Sequence, residues 1–160
     1  LFSRPDEARL EWVELPRALD SAAAMAWNEI RHRARLEKDY GEVPPVEANE
    51  SRLGQIFLNL LVNAADAAES LGTTRPVRIS VEARRVAEGV RMLVEDDGPG
   101  FTQEVLERLF EPFFTTKPSG LGMGLSISRS ILEVHQGRLQ AEPRPGRGTV
   151  FRCSLPSATP

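Results

Sequence analysis

SRLGQIFLNLLVNAADAAESL, residues 51–71, is the stretch that decides the fold. Leu53, Ile56, Phe57, Leu60, Leu61, Ala64, Ala68 and Leu71 recur at helical spacing, and Gly72 followed by Pro76 marks the stop. Within this pattern Gln55, Asn59, Asn63 and Asp66 are spaced four, four and three apart, so they share one narrow stripe of an otherwise apolar helix. Asparagine is a mediocre helix former, and a buried amide without a partner costs roughly 1–3 kcal/mol. Either the stripe faces water or it lines a polar ligand or metal site. The breadth of the apolar surface around it favours the second reading.

Upstream, Leu19, Ala22, Ala23, Ala26, Trp27 and Ile30 predict another helix between Pro16 and Leu36, with Pro16 tolerated in its first turn. Tyr40 to Asn49, carrying Gly41, Pro44 and Pro45, reads as a connection. Downstream, Val77-Ile79-Val81-Ala83 and Val90-Met92-Val94 alternate with period two and, joined through Ala87-Glu88-Gly89, predict a β-hairpin. A short helix is expected at Gln103 to Phe110 and a longer one at Leu125 to His135. Strands are expected around Arg138–Glu142 and Thr149–Leu155. Helices alternating with short strands, two of them in a hairpin, favour an α/β sandwich with a mixed sheet over a doubly wound parallel fold.

A chain of 160 residues is one ordinary domain, and 41% hydrophobic with 27% charged residues excludes disordered, collagen-like and coiled-coil classes. The net charge is −3 with basic residues scattered, so no footprint for nucleic acid is present. No apolar run approaches the ~20 residues of a membrane span, and no signal-peptide pattern opens the chain. These features predict a cytoplasmic, ligand-handling domain with no membrane contact of its own. One cysteine, Cys153, and two histidines, His32 and His135, cannot build a disulfide framework or a Cys/His zinc cage. Cys153 reads as a small buried hydrophobe, His32 as a surface helix residue and His135 as a helix-end residue beside the carboxyl-terminal dipole. The first residue is Leu1, and the irregular start that follows predicts a segment of a longer protein.

Two further stretches carry chemistry. Glu95-Asp96-Asp97-Gly98-Pro99-Gly100-Phe101 closes the hairpin's second strand. Taken alone it is a tight turn. A carboxylate held at a strand end can also accept a hydrogen bond from an exocyclic amine, while glycines let the backbone approach a flat base. Gly120-Leu121-Gly122-Met123-Gly124-Leu125 leads into a helix, where bare N–H groups and the helix's positive end can cradle phosphates. No Gly-Lys-Ser/Thr follows, so it is not a Walker loop, and its third glycine falls one position early for the dinucleotide fingerprint. Between the two, Phe110-Glu111-Pro112-Phe113-Phe114-Thr115-Thr116-Lys117 sets two hydroxyls and a cation after an aromatic cluster, or is a loop pinned by its phenylalanines.

The order Asn59-Leu60-Leu61-Val62-Asn63-Ala64, Asp96 to Phe101, Phe110 to Phe114, Gly120 to Leu125 and Gly148-Thr149-Val150-Phe151 resembles the N, G1, F and G2 boxes and closing motif of the catalytic ATP-binding domain of two-component sensor histidine kinases. The resemblance covers roughly Pro16 to Pro156. It implies a two-layer α/β sandwich of the Bergerat type, a mixed sheet with helices on one face, and ATP held with Mg²⁺ under a small flexible lid of the nitrogen-regulatory kind. By that pattern Asn63 would ligate Mg²⁺ with Asn59 in support, and Asp96 would take the adenine amine with Gly98 and Gly100 bordering the base. Lys117 and the backbone of Gly120, Gly122 and Gly124 would meet the phosphates. The nucleotide-contacting set further includes Asp66, Phe113, Thr116, Leu121, Met123, Leu125 and Thr149.

In the same reading residues 1–14 end an upstream linker or dimerisation helix, 15–156 form the catalytic domain and 157–160 a tail. The implied partners are a dimerisation and phosphoacceptor histidine domain and a response-regulator receiver domain. The sequence departs from the pattern at Asp66, where many members carry a basic residue, and no phosphoacceptor histidine stands in the chain. Two rivals belong to other classes: an ATPase of the gyrase, chaperone or mismatch-repair branch, whose helix carries Glu at the place of Asn59, and a non-catalytic nucleotide-binding module.

Overall fold

The structure is a computed structural model, and it describes residues 9–67, 77–114 and 124–157. Its frame is a five-stranded mixed sheet in the order β2 (Ala34–Tyr40), β4 (Val77–Val86), β5 (Gly89–Asp96), β7 (Thr149–Pro156), β6 (Arg138–Pro143). Only β2 and β4 run parallel. The expected hairpin is β4–β5, closed where Val86 pairs with Gly89.

Alternation along the strands sorts the sheet into two faces. Val81, Val94 and Phe151 form one cross-strand row, and Ala83, Met92, Cys153 and Leu139 the next; all are buried. Burial pushes the Cys153 thiol up to about 12. The opposite face carries Arg78, Glu82, Arg84, Arg91, Glu95 and Arg152, all of them at least partly exposed. The helices cover the apolar face.

Central among them is α3 (Glu50–Asp66), packed against α1 (Leu15–Met25) on one side and α5 (Gly124–Val134) on the other. Leu53, Ile56, Phe57, Leu60, Leu61, Ala64 and Ala65 form its buried face. Asn49 caps its first turn, accepting from the Arg52 amide at 3.0 Å. α1 buries Leu15, Ala18, Leu19, Ala22 and Ala23, whose small side chains admit a close approach to α3.

The helix expected between Pro16 and Leu36 is shorter. α1 ends at Met25, a single turn α2 (Trp27–Ile30) follows, and the chain then enters β2. β2 is an edge strand, and Arg35, Glu37, Lys38 and Asp39 are exposed, which hides its period-two signal. Its charges are paired instead: Asp39 with Arg84 at 2.6 Å, Lys38 with Asp20 at 2.8 Å and Glu37 with Arg78 at 3.5 Å. The connection expected between Tyr40 and Asn49 contains β3 (Val46–Ala48), which pairs antiparallel with β1 (Glu11–Val13). His32 is exposed in the turn after α2 and not in a helix. α4 (Gln103–Arg108) stands where the short helix was expected.

Candidate functional site

The apolar face of β5 runs Val90, Met92, Val94, and the same parity puts Asp96 next. Asp96 is 5% exposed, flanked across the strands by Ile79 and by Thr149, itself 2% exposed. Loss of solvent lifts its carboxyl from 3.8 to about 6, against the opposing pull of the hydrogen bond that its Oδ1 accepts from the Gly98 amide at 2.9 Å. Asp97 is used differently. Its Oδ1 accepts from the Arg78 amide at 2.7 Å and its own amide donates to the Arg78 carbonyl at 3.2 Å, so it fastens the strand end to β4.

Bare backbone surrounds Asp96. A Cβ on Gly98 would stand 2.9 Å from the Asp96 Oδ1 and 3.0 Å from the Ala67 Cβ. Gly148, at φ +110°, lies so close that a Cβ would overlap the Asp96 carbonyl. Gly100 at φ +77° in turn faces the Gly148 carbonyl.

α3 reaches this corner at its end, where Ala67 abuts Gly98, and the polar stripe runs back along the helix from there. Gln55 is exposed, while Asn59, Asn63 and Asp66 are half-buried. Asn59 Nδ2 donates to the Ser128 hydroxyl at 3.3 Å, and Ser128 is fully buried on α5. Gly124 opens α5, and a Cβ there would come within 3.8 Å of the Asn59 Nδ2. Asp66 pairs with Arg33 at 3.1 Å. Leu125 is half-buried against the core.

Phe113 adopts φ 69°, rare for an aromatic residue, and its side chain is 76% exposed. Its neighbours anchor the segment: Phe114 lies 4.4 Å beneath the Arg108 guanidinium, and Phe110 lies 5.0 Å beneath that of Arg129 on α5. Thr116, Lys117, Gly120, Leu121, Gly122 and Met123 lie outside the described residues.

Asn49 and His135 tie the helices together. The Asn49 amide donates to His135 Nε2 at 3.1 Å, while His135 Nδ1 stands 2.8 Å from the Ile131 carbonyl near the end of α5. The ring is therefore the Nδ1–H tautomer. Asn49 Nδ2 also donates to the Arg9 carbonyl at 3.0 Å.

Sequence reasoning did not single out Ser128 or Arg33. Ser128 carried a signal, since it falls on the α5 face of Leu125, Ile131 and Leu132, where a hydroxyl needs a partner. Arg33 carried none, because its partner is 33 residues away. A groove of about 680 Å³ beside α1, lined by Glu14, Arg17, Asp20 and Glu42 among others, shares no residue with this corner.

The corner thus joins a buried carboxylate to bare backbone at the point where the end of α3 meets the sheet. Residues 48–159 match the family model of histidine kinase-, DNA gyrase B- and HSP90-like ATPases. The chain is 38% identical over 154 residues to the C4-dicarboxylate transport sensor protein DctS of Rhodobacter capsulatus, covering 95% of this chain and 23% of that protein. It is 37% identical to the sensory histidine kinase/phosphatase NtrB of Rhizobium meliloti, covering 88% of this chain and 40% of the other. The catalytic domain of histidine kinase ThkA superposes with a TM-score of 0.81 at 30% identity, covering 93% of this chain and 96% of that one. The chain belongs to this ATPase family and, within it, is the ATP-binding catalytic domain of a two-component sensor histidine kinase. It spans less than half the length of these curated relatives. Among the described residues no helix is long and apolar enough to cross a membrane.

Proposed function

We propose that the domain binds Mg-ATP between α3, α5 and the end of the sheet, and transfers the γ-phosphoryl group to a histidine on a separate phosphoacceptor domain. The observation that carries this reading is Asp96, a buried carboxylate whose oxygen is already oriented by Gly98 where the end of α3 abuts the corner at Ala67. Asp96 accepts the adenine amine, Gly98 and Gly100 let the base lie against backbone, and Thr149 places a hydroxyl beside the carboxylate. Asn59 and Asn63 offer amide oxygens to a hard cation. A cation that keeps most of its contacts to phosphate and water needs only one or two such protein ligands, so the residues present fit Mg²⁺. Bound there, it would neutralise charge on the phosphates as the γ-group leaves. By the family pattern the backbone of Gly120, Gly122 and Gly124 would meet the phosphates, and Leu121, Met123, Leu125, Phe113, Thr116 and Lys117 belong to the same proposed nucleotide-contacting set.

Asn59 has no useful basicity, so no group on that helix position can deprotonate water. An imidazole brings its own lone pair and needs only positioning. In this reading the residues before 15 lead in from the acceptor domain, with Glu11–Val13 already joined to the catalytic fold through β3, residues 15–156 catalyse and 157–160 are a tail; the domain works on the cytoplasmic side, and a receiver domain takes the phosphoryl group onward. Incubation with γ-labelled ATP and a phosphoacceptor domain from a relative such as NtrB tests it. Label on the acceptor histidine, with hydrolysis far below the ~1 s⁻¹ of competent enzymes, is the expected result. Steady hydrolysis with no transfer would place the domain with the ATPase branch.

A further inference from the structure

The α3 stripe ends on a carboxylate. Standing alone on the face that carries Asn59 and Asn63, Asp66 would repel a polyphosphate. It does not stand alone. Arg33 Nη1 donates to Asp66 Oδ1 at 3.1 Å, and Arg33 Nε donates to the Glu29 carbonyl at 2.9 Å. The two side chains are only 23% and 26% exposed. The backbone of Arg33 is fixed as well, since its carbonyl accepts from the Val77 amide at 3.2 Å where β4 begins.

The placement of this pair follows from its neighbours. Ala67 abuts Gly98, beside Asp96, and Asn63 lies one helical turn back along the stripe. Through Asp66 the guanidinium is therefore tied to the same helical stripe as the asparagine amides, one residue before the point where α3 meets the Asp96 corner. A guanidinium is planar, keeps its charge at any working pH, and can serve a carboxylate and a phosphate together.

We infer that Arg33 is a phosphate-contacting residue, delivered to the nucleotide from the turn between α2 and β2 and aimed by Asp66. This rests on the reading of the site as an ATP site. The cation that the helix itself lacks at Asp66 reaches the stripe from another element.

Calorimetric titration with Mg-ADP and with adenosine, on the parent, Arg33→Ala, Arg33→Lys, Asp66→Ala and the double variant Arg33→Ala/Asp66→Ala, tests the inference. Arg33→Ala should weaken Mg-ADP binding about tenfold or more and leave adenosine within about twofold, with Arg33→Lys in between. Asp66→Ala should cost less than Arg33→Ala. The double variant separates two roles: if Arg33 only neutralised Asp66, removing both would restore parental affinity, whereas a phosphate contact leaves it weak. Restored affinity in the double variant, an Arg33→Ala variant within twofold of the parent, or equal losses for ADP and adenosine would each overturn the inference. A parent that binds neither ligand would instead overturn the ATP site itself.

Discussion

Asp96 and Asp97 are adjacent, chemically identical and opposite in use. Strand parity turns Asp96 into the core and Asp97 out to the backbone of β4. That difference was legible in the sequence, because Val90, Met92 and Val94 set the parity that Asp96 continues. The rise of the Asp96 pKa from 3.8 to about 6 corresponds to a cost on the order of 3 kcal/mol for holding the charge in place at neutral pH. The folded protein holds this proton more tightly than the unfolded chain does. The associated stability is therefore fully present below 3.8 and is lost as pH rises through about 6. Asp96→Asn keeps an oxygen for the Gly98 amide and removes the charge. It should raise the Tm at pH 7.5 by several degrees while weakening ADP binding at least tenfold, and a lowered Tm would show that the charge is compensated. An amine donor on the ligand favours the ionised carboxylate, so ADP binding near pH 6 should release a proton that binding at pH 8 does not. Calorimetry in buffers of different ionisation enthalpy reads this directly, and no buffer dependence at pH 6 would take Asp96 out of the base site.

At the scale of elements, the sequence shows whatever burial imprints on it. α3 and the β4–β5 hairpin carry their periods plainly because one face of each is fully buried. β2 fully buries only Ala34, with Leu36 and Tyr40 half-buried on the same face and Arg35, Glu37, Lys38 and Asp39 exposed, so its first residues extend the helical reading of the segment before it. β1 and β3 are three residues each, too short for any period to register. The turn between β6 and β7 offers a test of how closely these elements are joined. Gly146 and Gly148 both have positive φ, at +91° and +110°, but only Gly148 is hemmed in by the Asp96 backbone; nothing lies within 4 Å of a Cβ on Gly146. Gly146→Ala should therefore cost only the dihedral strain, about 1 kcal/mol, by urea denaturation. Gly148→Ala adds a steric clash and should cost 3 kcal/mol or more, or prevent folding. Equal costs would show that the β7 end can shift away from Asp96. Asn49→Ala removes the α3 cap and should cost about 1 kcal/mol, with Asn49→Asp retaining most of it, since a carboxylate also accepts from the Arg52 amide.

The molecule as a whole divides its work between two faces of one sheet. Ion pairs on the open face, such as Arg84 with Asp39 and Arg78 with Glu37, are exposed and contribute little each. Stability comes from the apolar rows between sheet and helices. At one end of those rows the sequence sets Asp96, Thr149, Asn59 and Ser128 where hydrocarbon would hold the layers more tightly. The site is thus a weak margin between layers, and a ligand that bridges α3, α5 and β5 should tighten the whole fold. The boxes that mark it were legible because their chemistry is local, Gly beside Asp or Asn four residues from Asn. The contacts of Arg33 and Ser128 were not, because they exist only once the layers meet. Binding to the folded state alone at a hundred times Kd contributes about 2.7 kcal/mol. For a domain of this size each kcal/mol raises the Tm by roughly 2–4 °C, so Mg-ADP at that concentration should raise it by about 5–10 °C. Asp96→Asn starts from a higher Tm and, having lost the base contact, should show almost no rise at the same ADP concentration. GTP should also fail to raise the parental Tm, because guanine offers an oxygen to the carboxylate where adenine offers an amine. A parental shift of equal size with GTP would mean that the buried carboxylate does not read the base, and that the nucleotide is held by its phosphates alone.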